Sequence, residues 1–179
     1  MDFDLQPTLK GELLTLRPLG AKDFEPLFQV ASDPLVWEQH PRWDRYKEEV
    51  FRPFFQAGLN SGGALVAVEG NTQSIIGSSR FLSYSPSAQE VEIGFTFLGR
   101  DYWGGTYNGE MKRLMLRHAF QTVGSVVFLI GQDNVRSKRS VEKIGAKFDG
   151  ERKDATGLDA HIYRIRKGDF KSSAVNMPH

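Results

Sequence analysis

EVEIGFTFLGRDYWGGTYNGEMKRLMLRHAF, residues 90–120, decides how the rest of the chain is read. Val91, Ile93, Phe95 and Phe97 alternate with Glu92, Gly94 and Thr96, which predicts a strand with one apolar face and one face carrying a carboxylate and little bulk. After Tyr102 and Trp103, the pair Gly104-Gly105 permits positive φ and lets the backbone come close to a bound group. Thr106, Tyr107 and Asn108 then open a helix, whose first amides have no intrahelical acceptor and sit at the positive end of the dipole. An anion suits that place, a pyrophosphate above all. Met111, Leu114, Met115, His118, Ala119 and Thr122 fall on one helix face, with Lys112, Arg113, Arg117 and Gln121 mostly elsewhere. The same strand, turn and helix also serve as plain punctuation in α/β domains. Gly99, Gly104 and Thr106 imitate a P-loop, but Gly105 stands where its phosphate-binding lysine belongs, so a nucleotide-hydrolase reading loses its main residue.

Composition narrows the classes. At 179 residues, 40% hydrophobic, the chain has enough apolar material for one full core, and one domain is expected over residues 1–171 with a disordered tail at 172–179. The 23 basic and 22 acidic residues nearly cancel, and no basic run interleaves with aromatics, which disfavours nucleic-acid binding. There is no cysteine, so disulfides, a thiol nucleophile and thiolate metal sites are excluded. Four scattered histidines make no metal set, and none is expected. No run reaches the length of a membrane span and MDFDLQPTLKG has no signal-peptide order, so a cytoplasmic protein without a membrane partner is expected.

Outward from the central stretch, LLTLRPL (13–19) alternates as a strand and Asp23 precedes FEPLFQVA as a helix cap. Residues 32–46 mix proline with Trp37, His40, Trp43 and Tyr46 and predict a loop with some short helix. Their aromatics either line a substrate cleft or cap the core. A helix over 47–59 carries Pro53 as a kink or restart, with Val50, Phe51, Phe54 and Phe55 inward. Strands over 64–69 and 74–81, a polar turn at 83–89 and the central strand make three antiparallel strands in a row. A buried strand over 125–131, a helix over 133–145 and a hairpin from 146–153 and 160–166 complete the pattern.

Two segments, WGGTYN (103–108) and DNVRSKRSVEKIGAKFDG (133–150), carry a resemblance to the GNAT superfamily of acetyl-CoA-dependent N-acetyltransferases, and within it to the RimJ/RimL-like branch that acetylates ribosomal-protein N-termini. The likeness spans about residues 13–170 and includes LLTLRPL and EIGFTFL. It implies an α/β (α+β) acyl-CoA N-acyltransferase fold: a mixed, mainly antiparallel twisted sheet flanked by helices. It also implies acetyl-CoA as donor, its pyrophosphate held by the amides of Trp103, Gly104, Gly105, Thr106, Tyr107 and Asn108. Pantetheine would pair with backbone at Phe95, Thr96, Phe97 and Leu98, where the central strand splays from its parallel neighbour. Asn134 matches the family asparagine that contacts pantetheine, with Ser137 and Arg139 one turn on; a helix cap and solvated surface are their structural roles. The family turn of Gln or Arg, two residues, Gly, one residue, then Gly or Ala is met here by Asp101, Gly104 and Thr106, with Arg100 beside the acidic residue.

The chemistry needs a neutral amine, hence a base. Glu92 is the candidate, unless it is a structural carboxylate paired with an arginine such as Arg80. Strand amides would stabilise the oxyanion. Relatives place a tyrosine acid at the position of Val141, and Ser137 or solvent is its substitute here. With no cysteine nucleophile, direct attack in a ternary complex is expected. The acceptor is a protein N-terminus or a small amine, with Trp37, His40, Trp43 and Tyr84 as candidate substrate contacts. The alternative is a non-catalytic acyl-CoA-binding or regulatory module. Monomer and homodimer both stay open.

Overall fold

The computed structural model describes residues 2–170, so the tail at 172–179 lies outside the described residues. The chain runs β1 (Leu9–Lys10), β2 (Leu14–Pro18), α1 (Phe24–Ala31), α2 (Glu48–Ser61), β3 (Ala64–Glu69), β4 (Ile75–Ser85), β5 (Glu90–Leu98), α3 (Thr106–Ala119), β6 (Ser125–Gly131), α4 (Val135–Lys143), β7 (Lys147–Lys153) and β8 (Asp159–Arg166). Short 3₁₀ turns at Pro34–Val36 and Trp43–Tyr46 occupy the predicted loop between α1 and α2. The strands form one sheet in the order β1-β2-β3-β4-β5-β6-β8-β7. Every neighbouring pair is antiparallel except β5 and β6, which are joined through α3 as a parallel unit needs a crossover.

Two apolar clusters cover the two faces. Leu16, Ile76, Phe81, Val91 and Ile93 pack with Met111 and Met115 of α3. Leu27, Trp37, Phe51, Phe55 and Phe97 lie under α1 and α2. Pro53 sits within α2 without ending it, and the helix stops at Gly62, whose φ of +69° is the left-handed cap glycine favours. β4 and β5 approach so closely that a Cβ on Gly77 would lie 2.1 Å from the carbonyl oxygen of Phe97.

Several expectations are corrected. β5 does not alternate to its end: the β4 partners step from Arg80↔Gly94 to Ser78↔Phe97, an extra residue on β5, and Phe95 takes φ +53°. That bulge turns Phe97 to the face opposite Val91 and Ile93, the face of Glu92. Asp23 does not cap α1 by its side chain; its carboxylate pairs with Arg17 at 2.8 Å and accepts from the Gly20 amide at 2.7 Å. Lys112 is not on an exposed helix face but buried, as is Glu110, because β1, β2 and α4 close over both sides of α3. Glu110 accepts from the amides of Glu12, Leu13 and Leu14 at 2.8–2.9 Å and so ties α3 to the turn before β2.

Candidate active site

The parallel pairing of β5 with β6 is short. It covers Glu90↔Ser125, Val91↔Val126 and Glu92↔Val127, and no pairing continues beyond them. The remainder of β5, Ile93 to Leu98, therefore has a strand partner on the β4 side and an open edge on the β6 side, with Glu92 at the apex of the opening. The backbone of Phe95, Thr96, Phe97 and Leu98 lies along that edge, as the resemblance implies. One acceptor there is already used: the indole Nε1 of Trp103 donates to the carbonyl of Leu98 at 2.9 Å.

At the wide end of the opening, Gly104 and Gly105 take φ +107° and +108°, and a Cβ on either would meet nothing within 4 Å. Conformation, not space, requires glycine at both. α3 begins with no side-chain cap, and the amides of Gly104, Gly105, Thr106, Tyr107 and Asn108 donate to no group among the described residues. The Trp103 amide differs from expectation, since it donates to Arg100 at 3.1 Å. Arg100 is likewise engaged, with Asp33 at 2.5 Å, and so does not offset Asp101. The side chain of Tyr107 turns away, its hydroxyl toward Glu69 at 3.5 Å. This run of outward donors at a helix start fits a pyrophosphate.

Facing it, Asn134 is 5% exposed and caps α4, accepting from the Ser137 amide at 3.3 Å. Ser137 is half-buried and Arg139 exposed. Between the helices, Asn108 donates to Ser140 Oγ and accepts from Lys112 Nζ at 2.7 Å. Burial with no carboxylate partner lowers the Lys112 value to about 8. Arg136 joins the α4 end to the rest: it stacks 3.9 Å over the Trp103 ring and donates to the Val36 carbonyl at 3.0 Å.

Glu92 is 6% exposed and in no ion pair among the described residues. Burial raises its carboxyl to about 7; the fields of Asp154 and Glu90 add to this, while Arg152 and the Ser83 side chain oppose it. Arg80 attracts it without contact, so the structural pairing considered from sequence does not form. On the same face stand Arg80, across from Gly94, and Arg45, which lies over Phe54 and Phe95. Sequence reading missed Arg45 and Lys112 because polar residues in a loop or on a helix give no sign of burial before the chain closes over them.

The four candidate acceptor contacts separate. Trp37 is a core residue, 2% exposed, its Nε1 donating to the Ala31 carbonyl at 2.8 Å. Trp43 is 57% exposed, with the Lys47 ammonium 5.7 Å over its ring. Tyr84 is corrected: Ser83, at φ +53°, breaks the alternation of β4, and Tyr84 packs on Phe3 with the α3 cluster, away from Glu92. His40 stays beside the site, half-buried, next to Arg45. A separate cavity of about 750 Å³ lies between α1, the β3–β4 turn and residues 99–102; Asp33, Arg100 and Asp101 line it, and Glu92, Arg45 and the four candidate acceptor contacts do not.

Known proteins share this fold. The profile of the acetyltransferase (GNAT) domain matches residues 14–147. A GCN5-related N-acetyltransferase from Brucella melitensis superposes with TM-score 0.81 at 16% identity, over 94% of this chain and 82% of that one. An acetyltransferase from Agrobacterium tumefaciens strain C58 does so with TM-score 0.71 at 26% identity, over 90% and 95%. A Vibrio cholerae protein described as a ribosomal-protein-serine acetyltransferase gives TM-score 0.74 at 15% identity, over 89% and 97%. With three quarters of its length matched by that domain and its sheet opening beside a glycine turn, the chain belongs to the GNAT acetyltransferase family.

Proposed function

We propose that the protein is an N-acetyltransferase that transfers an acetyl group from acetyl-CoA to a primary amine in a ternary complex. The observation that carries this reading is Glu92, buried, in no ion pair among the described residues and poised near pH 7 at the apex of the β5–β6 opening. An ammonium arriving on the α1–α2 face gives its proton to the Glu92 carboxylate and becomes a nucleophile. Acetyl-CoA supplies the thioester to be attacked. The amides at 104–108 would hold its pyrophosphate, the open edge of Phe95–Leu98 its pantetheine, with Asn134 and Arg139 at the α4 side. Backbone amides of β5 beside the bulge would supply the donors for the developing oxyanion. Val141 is buried and cannot donate a proton, so the Ser137 hydroxyl or water returns one to the departing thiolate.

The acceptor is a protein N-terminus, as the Vibrio cholerae neighbour suggests, or a small amine. A chain without cysteine suits the reducing cytoplasm, our proposed location. Val141 favours a second reading, a non-catalytic acyl-CoA-binding module. Release of free thiol from acetyl-CoA with a panel of amines separates them: turnover that falls in Glu92→Gln supports the enzyme, and binding without turnover supports the module.

A further inference from the structure

Glu92 shares its face of the sheet with two arginines that have no carboxylate of their own. Arg45 is 5% exposed and Arg80 is 8% exposed, and neither forms an ion pair among the described residues. Arg80 Nε is buried without a hydrogen-bond partner. The guanidinium carbon of Arg80 lies 4.2 Å over the Phe95 ring and 5.8 Å over Phe54; that of Arg45 lies 4.3 Å over Phe54 and 5.7 Å over Phe95. Aromatic faces stabilise the charge but accept no hydrogen bond in the guanidinium plane.

His40 points to the same deficit. Its Nδ1 accepts from the Arg42 amide at 2.9 Å, and burial beside arginines keeps the ring neutral, with its value near 3. A neutral ring that accepts at Nδ1 carries its proton on Nε2. That Nε2 lies 3.4 Å from Arg45 Nη1, so a donor faces a donor. The nearby carboxylates, Asp154, Asp44 and Glu92, act on this group only at a distance. Two buried guanidiniums with no ion pair among the described residues, one of them with an unpartnered Nε, are the complement of a missing anion, and the guanidinium fork matches a planar carboxylate.

We propose that the acceptor amine carries a carboxylate, bound by Arg45, Arg80 and the Nε2–H of His40, which brings its amino group to Glu92. This rests on the acetyltransferase reading and narrows its acceptor to small amino acids and their analogues. Product binding tests it without turnover. N-acetyl amino acids with apolar, polar and aromatic side chains, and the matching N-acetyl amino amides, are titrated calorimetrically into the wild type, Arg80→Met and Arg80→Lys, with acetyl-CoA titrated beside them. At least one acid is expected to bind about tenfold or more tighter than its amide. Arg80→Met should remove that preference, Arg80→Lys should weaken it, and acetyl-CoA binding should be unchanged in both. Equal binding of acids and amides, or binding of neither while acetyl-CoA binds, overturns the proposal. Failure of acetyl-CoA to bind the wild type overturns the acetyltransferase reading instead, and the acid-to-amide comparison is still read from the same titrations.

Discussion

The burial that suits Glu92 to the proposed role of base also costs stability. Its carboxyl holds a proton in the folded protein up to about pH 7, against the ordinary 4.5. The folded state thus binds more protons than the unfolded one between those values, and stability falls as pH rises through that window. Replacing the group by Glu92→Gln should raise stability at pH 8 by up to about 3 kcal/mol, read by urea denaturation at pH 8 and pH 5, with little gain at the lower pH. The same variant should lose about 100-fold or more in kcat, and the wild-type kcat/KM should rise with pH to a plateau above about 7, a limb the variant lacks. Lys112 titrates with the opposite sign. Its value is lowered to about 8, so the unfolded chain binds more protons between about 8 and 10.5 and stability gains as pH rises there. Lys112→Met should remove that gain when melting temperatures are compared at pH 7.5 and 10. The face on which Glu92 lies was readable from alternation alone, because Val91 and Ile93 on either side must point to the core. Lys112 was not, since its burial depends on β2 and α4 arriving from distant sequence.

At the level of elements, most of the fold follows from periodicity, and the departures have local causes. β6 occupies the predicted 125–131, and α2 and α4 begin and end within a few residues of their expected bounds. Strict alternation failed in β5, where Phe95 adopts positive φ, and β4 runs on to Ser85 through residues expected in a turn, with Ser83 at positive φ; a bulge depends on the register of two strands, which one strand's sequence does not encode. The bulge moved Phe97 to the α1–α2 face, and the break at Ser83 took Tyr84 away from it. Glu110 gives the sharpest test of an element's anchorage. Glu110→Ala removes the acceptor of three backbone amides, at Glu12, Leu13 and Leu14. A loss of about 3 kcal/mol or more is expected from unpaired buried donors, measured by equilibrium unfolding. A loss below about 1 kcal/mol would mean that water replaces the carboxylate there.

The whole molecule is arranged around a parallel pair that parts after Glu92↔Val127. Sequence suggested such a splay only through its resemblance to a family; pairing length is a property of the assembled sheet, and neither strand's composition announces where it ends. Unpaired amides at 104–108 were expected from Gly104-Gly105 and the helix that follows, and among the described residues they have no acceptor, as the proposed cofactor turn requires. On the proposed reading donor and acceptor approach from different sides of one sheet, and initial-rate plots should show intersecting lines, the pattern of a ternary complex. Parallel lines would indicate a covalent intermediate, for which the chain has no cysteine. The most direct test of the account is calorimetric titration of acetyl-CoA into the wild type and into Gly104→Asp, which puts a carboxylate and a Cβ at φ +107° in the turn. Saturable binding to the wild type is expected, with loss of about tenfold or more in the folded variant. Equal binding to both would remove the turn from the cofactor site, and no binding to either would contradict the acetyltransferase assignment itself.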